Sequence, residues 1–126
     1  MHEEILTGNE KTTLALLGES KILDFADIKD IAVMKINAIS QRGKKRDFVD
    51  LYFILNENIL TLKKIFNLYD KKYKLLKQNL FILIKNLAYF DNAEQDEIPE
   101  MIKPVNWSQV KKYFIEEQRK IAEALL

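Results

Sequence analysis

The stretch 27–55, DIKDIAVMKINAISQRGKKRDFVDLYFIL, constrains the fold more than any other part of the chain. Apolar Ile28, Ile31, Met34, Ala38 and Ile39 recur at helical spacing up to Arg42, the period of an amphipathic helix. Asp27 is the expected N-cap, with Asp30 three residues on in a relative of the capping box. Both carboxylates then suit the positive end of the helix. Gly43 stands where a left-handed residue closes a helix. A second helical pattern starts near Arg46 and carries Phe48, Leu51, Tyr52 and Leu55 on one side. The stretch predicts a helix, a short basic turn and a second helix.

The polar residues of this hairpin are placed just as regularly. Lys35 and Arg42 are seven apart, so they lie within roughly 20° of each other around a helix of about 3.6 residues per turn. Met34 and Ile36 flank Lys35, a setting in which a long basic side chain runs its stem along apolar surface. Lys44, Lys45 and Arg46 charge the turn, and Asp47 and Asp50 share one face of the next helix at i, i+3. Cations of the first helix can therefore face carboxylates of the second. Two readings follow: an ion-paired hairpin with a solvated basic turn, or an edge that binds phosphate or nucleotide.

These residues carry a resemblance. Asp30, Lys35, Ala38 and Arg42 form a D-x-x-x-x-K-x-x-A-x-x-x-R segment, and Arg46-Asp47-Phe48-Val49-Asp50-Leu51 follows it as R-D-x-x-D-L. This pattern resembles the C-terminal motif region of the AbiEii/AbiGii toxin-type nucleotidyltransferases. Tyr89-Phe90-Asp91-Asn92-Ala93-Glu94 and the run from Pro104 through Trp107 to Val110 are similar to that family's tail, so the likeness extends from about residue 20 onward. It implies a nucleoside triphosphate substrate with magnesium as the metal cofactor, a toxin role in phage defence or toxin–antitoxin pairs, and in some members an RNA acceptor. Lys35 would contact the triphosphate, with Arg42 or Arg46 as supporting cations, and Asp47 and Asp50 would position those cations or contribute to catalysis. Lysine suits a point contact with phosphate, whereas arginine offers a planar fork.

The family's N-terminal half carries a G-S or G-G motif and a D-x-D carboxylate pair that hold metal and nucleotide. Phosphoryl transfer depends on such a metal clamp and on positioning. These 126 residues contain no equivalent, since Gly18-Glu19-Ser20 is followed by Asp24 and Asp27 three apart, directly before the first motif helix. The expectation is the second half of a two-part active site, inactive alone. Its partners would be the missing half, an antitoxin or a second copy of the chain. A non-catalytic helical interaction module and a plain salt-bridged structural domain are the alternatives.

The rest of the chain predicts a mainly α single-domain bundle of about five helices, with a lead-in over 1–26 holding short strands and the helical domain over 27–126. Hydrophobic residues are 48% of the chain, enough for a real core, and a net charge of +1 gives no global field that argues for nucleic acid. With no cysteine there are no disulfides or thiolate metal sites. No run approaches the roughly 20 apolar residues of a membrane span, and the start lacks a signal-peptide core, so a soluble intracellular protein is expected. Residues 13–17 and 22–25 read as two short strands, or as a turn of helix and a strand. His2, the single histidine, reads as incidental.

Further along, residues 58–73 predict a helix burying Leu62, Ile65, Phe66 and Tyr69, capped by Asn58 or Thr61. Its lysines, with those that follow to Lys77, read as a dispersed, solvated face. Residues 75–89 predict a helix with a stripe of Leu76, Leu80, Leu83, Ile84 and Leu87. Leu75, Phe81 and Ile82 are expected to widen that stripe, giving a helix buried on more than one side. Asp91, Glu94, Asp96, Glu97 and Glu100 read as a solvated acidic loop interrupted by Pro99 and Pro104, opposite in charge to the basic turn. The last helix is expected from Asn106 or Trp107 to Ala124, with Val110, Phe114, Ile121 and Leu125 inward and Trp107 and Tyr113 covering a core edge.

Overall fold

A computed structural model describes residues 11–16, 19–58, 60–74, 77–97 and 105–125, and the side chains of 11–21, 77, 78 and 125 lie outside that description. The chain runs β1 (Lys11–Leu16), β2 (Glu19–Asp24), α1 (Phe25–Gln41), α2 (Lys45–Asn56), α3 (Leu62–Tyr73), α4 (Lys77–Asn86), α5 (Asp91–Glu94) and α6 (Trp107–Leu125). The strands form an antiparallel pair with Lys11 opposite Asp24 and Leu16 opposite Glu19. Of the alternatives for the lead-in, two strands is the observed one. Five longer helices make the fold mainly α, as expected.

α1 starts three residues earlier than its sequence pattern suggested. Asp24, not Asp27, is the N-cap: its Oδ1 accepts from the Asp27 N–H at 2.8 Å, and Asp27 Oδ2 accepts from the Asp24 N–H at 3.2 Å. Each carboxylate satisfies a backbone donor that the helix start leaves open, a reciprocal box in which Asp27 holds the third position. Asp30 takes no part in that box. The buried stripe is also rotated from the one expected. Ile28, Ala32, Val33, Ile36 and Ile39 are inside, Ile31 and Ala38 sit at the edge, and Met34 is 59% exposed.

The helix stops where glycine predicts. Both the Arg42 and Gly43 N–H groups reach the Ala38 carbonyl, at 2.8 and 3.0 Å. Gly43 then turns left-handed at φ +57, with the Ile39 carbonyl 3.4 Å from where a Cβ would stand. α2 starts at Lys45, one residue ahead of Arg46. Lys44 at its N-cap position has no acceptor, so the Asp47 carboxylate supplies the cap, taking the Lys44 N–H at 3.2 Å.

Around this hairpin the remaining helices close a single core. α1 packs on α2, α3 and α4, while α6 packs on α2, α3 and α4 from the other side. Thr61 caps α3 by accepting from the Lys64 N–H at 3.1 Å, and Leu62, Ile65, Phe66 and Tyr69 are buried as their spacing predicted. Asn58 instead takes a positive φ of 60 in the turn before it. In α4, Leu83 and Ile84 are buried, as is Leu87 just beyond it, but Phe81 and Ile82 are 55% and 53% exposed. That helix buries one face only, because α1 and α6 approach it from the Asn86 and Gln118 sides and leave the outer face uncovered. Leu75, Leu76, Pro99, Glu100, Pro104 and His2 lie outside the described residues, as does the side chain of Leu125.

The acidic segment is not only loop. Residues Asp91–Glu94 form the short α5, whose Ala93 is fully buried. Phe48 is the hub of this end of the core, edge-on to Phe90, Trp107 and Phe114 with ring centroids 5.2, 6.1 and 5.4 Å away. Val110, Phe114 and Ile121 make the inner stripe of α6, and Asn106 Oδ1 caps it through the Gln109 N–H. Tyr113 lies edge-on to Tyr52, and its burial raises the phenol pKa.

Candidate functional site

The geometry of the α1–α2 hairpin follows from two short periods. Lys35 and Arg42, two turns apart, occupy the flank of α1 beside the buried stripe. The left-handed Gly43 reverses the chain within two residues, so the first turns of α2 present Asp47 and Asp50 to that flank. Lys35 Nζ lies 3.0 Å from Asp50 Oδ2 and 3.7 Å from Asp47 Oδ1. Arg42 grips Asp47 with both arms, Nε donating to Oδ2 at 3.0 Å and Nη2 to Oδ1 at 2.9 Å.

Four charges meet here and cancel. The two carboxylates are fully buried, the Lys35 side chain is 13% exposed and that of Arg42 is 44% exposed. The hydrogen bond to Asp47, and then the charge of Asp47, raise the Arg42 pKa. Lys35 is not an unpaired cation, so the ion-paired-hairpin reading is met in its geometry. Burying two carboxylates nevertheless costs several kcal/mol per ion that an apolar contact would not, which makes this arrangement weak as a stability device.

Arg46 does not join the four. It is exposed on the far side of the turn, where Lys44, Arg46, Asp96 and Glu97 line a recess of about 270 Å³. A second recess of similar volume, between Leu55, Leu60, Tyr113 and Glu117, is lined by none of the motif residues.

Here the acidic segment meets the basic turn, as their opposite charges suggested. The Lys45 N–H donates to Asp96 Oδ2 at 3.0 Å, and Lys45 Nζ donates to the Asp96 carbonyl at 2.6 Å. Asn92 Nδ2 reaches the Arg42 carbonyl at 3.1 Å. The Lys45 side chain is buried over the Trp107 ring, 5.0 Å from its centroid. Glu94 ties the other end, accepting from Trp107 Nε1 and, at 3.1 Å, from Lys111 Nζ. The Trp107 and Lys111 hydrogen bonds hold its pKa below the usual carboxylate value. The segment 91–97 is thus a strap that fixes the start of α2. Lys45 was only one of three adjacent basic residues in the sequence, and the signal that could have singled it out was the acidic run that binds it.

The residues present suit an anion more than a metal. Asp47 already binds Arg42 through both oxygens and Asp50 holds Lys35, and no group of three or more potential ligands capable of holding a metal occurs among the described residues. Both carboxylates are therefore engaged by this chain's own cations. Arg42 exposes guanidinium donors on the flank that Lys35 shares, while Arg46 is exposed on the other side of the turn. Among the described residues no helix is long and apolar enough to cross a membrane.

Comparison with known proteins agrees with the motif. A relative from Aquifex aeolicus (strain VF5), an uncharacterized protein, is 41% identical over 97 residues. The matched region covers 77% of this chain but 44% of the relative, so the chain spans under half of that protein's length. No solved structure matches. Residues 7–125 match the family described as "Nucleotidyl transferase AbiEii toxin, Type IV TA system". Nearly the whole chain is included in that match, and the chain belongs to the AbiEii nucleotidyl transferase toxin family.

Proposed function

We propose that this chain supplies the triphosphate-contacting part of a nucleotidyltransferase active site of the toxin type, with the metal-holding part coming from residues outside these 126. The observation that carries the reading is the pair of fully buried carboxylates holding Lys35 and Arg42 on one flank of α1. Lys35 is the point contact for a phosphate. Arg42, clamped by Asp47 through one edge of its guanidinium, offers its remaining N–H donors outward. Arg46 adds a second exposed cation at the turn. Asp47 positions Arg42, and Asp50 positions Lys35 or contributes to catalysis beside it. Fixed cations of this kind favour the charge that develops on a transferring phosphoryl group, because no reorganisation is needed during the reaction. Alone, the chain transfers nothing.

The test is a calorimetric titration of the chain with each nucleoside triphosphate in the presence of magnesium, beside Lys35→Ala, with circular dichroism to show that both are folded. Saturable binding that disappears in the variant is the expected outcome. Equal binding by both proteins would remove Lys35 from the site. A second reading is a non-catalytic module that binds an antitoxin, the missing half or another copy of itself. Ile22, 72% exposed on β2, and Phe81 on α4 favour it. Self-association without any triphosphate binding would select that reading.

A further inference from the structure

The recess at the far end of α2 belongs to neither the ion cluster nor the strap. It opens where α2 ends, α3 begins and α6 packs against both, roughly 13 Å along α2 from Asp47 at about 1.5 Å rise per residue. Its apolar floor is Leu55, Leu60 and Leu62, all buried. Its polar wall is Tyr113, Glu117 and Lys120, which follow one another at four- and three-residue spacing along one side of α6. The volume is about 270 Å³, equal to roughly nine waters at about 30 Å³ each, so a molecule of about nine non-hydrogen atoms has room there. An apolar floor with a few convergent polar groups is the usual make-up of a small-molecule site.

The charges of this recess come in opposite pairs. Glu117 and Lys120 form an ion pair at 3.4 Å, with the glutamate side chain 20% exposed and the lysine 59% exposed. The acid therefore sits inside and the cation at the mouth. The helix ends that border the recess carry the same two signs: α2 brings its carbonyl end at Asn56, and α3 its amide end after Thr61. Burial, and then the charge of Glu117, raise the Tyr113 pKa, so its hydroxyl stays a hydrogen-bond donor at neutral pH. An amine alone faces Lys120 in such a site, and a carboxylate alone faces Glu117, so a ligand of one charge meets its like. A compact zwitterion does not. In an α-amino acid the nitrogen and the carboxylate carbon lie about 2.5 Å apart, from bonds of roughly 1.46 and 1.52 Å meeting near 111°. That separation is close to the 3.4 Å between the two side-chain charges, so the molecule can lie antiparallel along the pair. Its side chain then rests on the leucines, whose contact supplies the apolar part of binding. A polypeptide terminus carries only one of the two charges and is not matched in this way.

We infer that the recess bounded by the end of α2, the start of α3 and the Tyr113, Glu117 and Lys120 side of α6 binds a free α-amino acid with an apolar side chain. The ammonium meets Glu117, the carboxylate meets Lys120, and the side chain covers Leu55, Leu60 and Leu62. The inference goes beyond the transferase reading and does not depend on it, since Lys35, Arg42, Asp47 and Asp50 line none of this recess.

The experiment is calorimetric titration of the full chain with L-leucine, isoamylamine, isocaproate and glycine. The amine lacks the carboxylate, isocaproate lacks the ammonium, and glycine lacks the apolar side chain. Leucine should bind saturably with a Kd below about 1 mM, and each of the other three should bind about tenfold more weakly or worse. Glu117→Gln and Lys120→Gln should each weaken leucine binding about fivefold or more, because a charge-assisted contact is lost in each, with the circular dichroism spectrum unchanged. Lys112→Gln and Glu123→Gln, on the other side of α6, should change it less than about twofold. Absence of saturation by leucine up to about 10 mM overturns the inference. So does any of the three analogues that binds as tightly as leucine, which would leave no role for the group it lacks. Unchanged affinity in both Glu117→Gln and Lys120→Gln also overturns it, by placing the ligand elsewhere. Triphosphate titration of the same protein is a separate readout: leucine binding without triphosphate binding removes the transferase reading and leaves this site standing, and the converse removes this site alone.

Discussion

The α1–α2 hairpin and the outer face of α3 are both rich in charge, yet they use it in opposite ways. In the hairpin, two cations and two carboxylates are balanced, and both acids are fully buried. On α3, lysines stand in water with one aspartate among them. Buried charge commits to one geometry, because each ion is costly unless its partner is in place. Exposed charge costs the fold little and stays available to a ligand, at the expense of being screened by salt. One region holds its cations still, and the other leaves them in water.

Removing charge should therefore act very differently in the two places. Asp50→Ala leaves Lys35 with only the longer contact to Asp47 and should cost about 3 kcal/mol of stability, at the lower end for a broken buried pair. Joint replacement of the exposed Lys63, Lys64, Lys71 and Lys74 on α3 by Gln should stay within about 0.5 kcal/mol per site, as surface changes do. Denaturant unfolding of both proteins measures the contrast, and equal losses would erase it. Next in size is the turn that joins the two halves of the hairpin. Gly43→Ala forces a side chain into φ +57 and should cost about 1–2 kcal/mol by the same assay.

The α3 end offers the opposite sign. Lys74 closes the helix at φ 50, a strain that glycine relieves, so Lys74→Gly should raise stability by roughly 1 kcal/mol. A drop instead would show that the lysine side chain packs against the fold.

The smallest effect is the most local. Glu94 has its pKa lowered by Trp107 and Lys111, so the contribution of those bonds is complete above pH 4.5 and lost as pH falls through the lower folded value. Trp107 is the single tryptophan, so its emission should shift in that acid window as the strap loosens. In Glu94→Gln the shift should vanish.

The motif residues were legible in the sequence because their offsets match the helix period. Lys35 with Arg42 and Asp47 with Asp50 needed only the turn at Gly43 to bring them together, and glycine announced that turn. Arg46 had the same charge and neighbourhood but points elsewhere, which periodicity in a short turn cannot decide. Met34, Phe81 and Ile82 were assigned to the core because hydrophobic character alone does not tell a helix which neighbours will cover it. The start of α1 was misplaced because Asp24 and Asp27 are equally good caps in isolation, and it is their reciprocal bonding that selects the earlier one. The described lysines of α3 are exposed, as a solvated face requires.

The central claim is that the buried Lys35–Asp50 pair exists for binding and not for stability. A double replacement, Lys35→Met with Asp50→Leu, tests it most directly, since a buried ion pair replaced by apolar residues of similar volume is usually neutral or stabilising by about 1–4 kcal/mol. The triphosphate affinity of that variant, measured by calorimetry beside the native chain, is the decisive quantity. The account predicts a protein at least as stable as the native chain that no longer binds. A double variant that binds triphosphate as tightly as the native chain would contradict it.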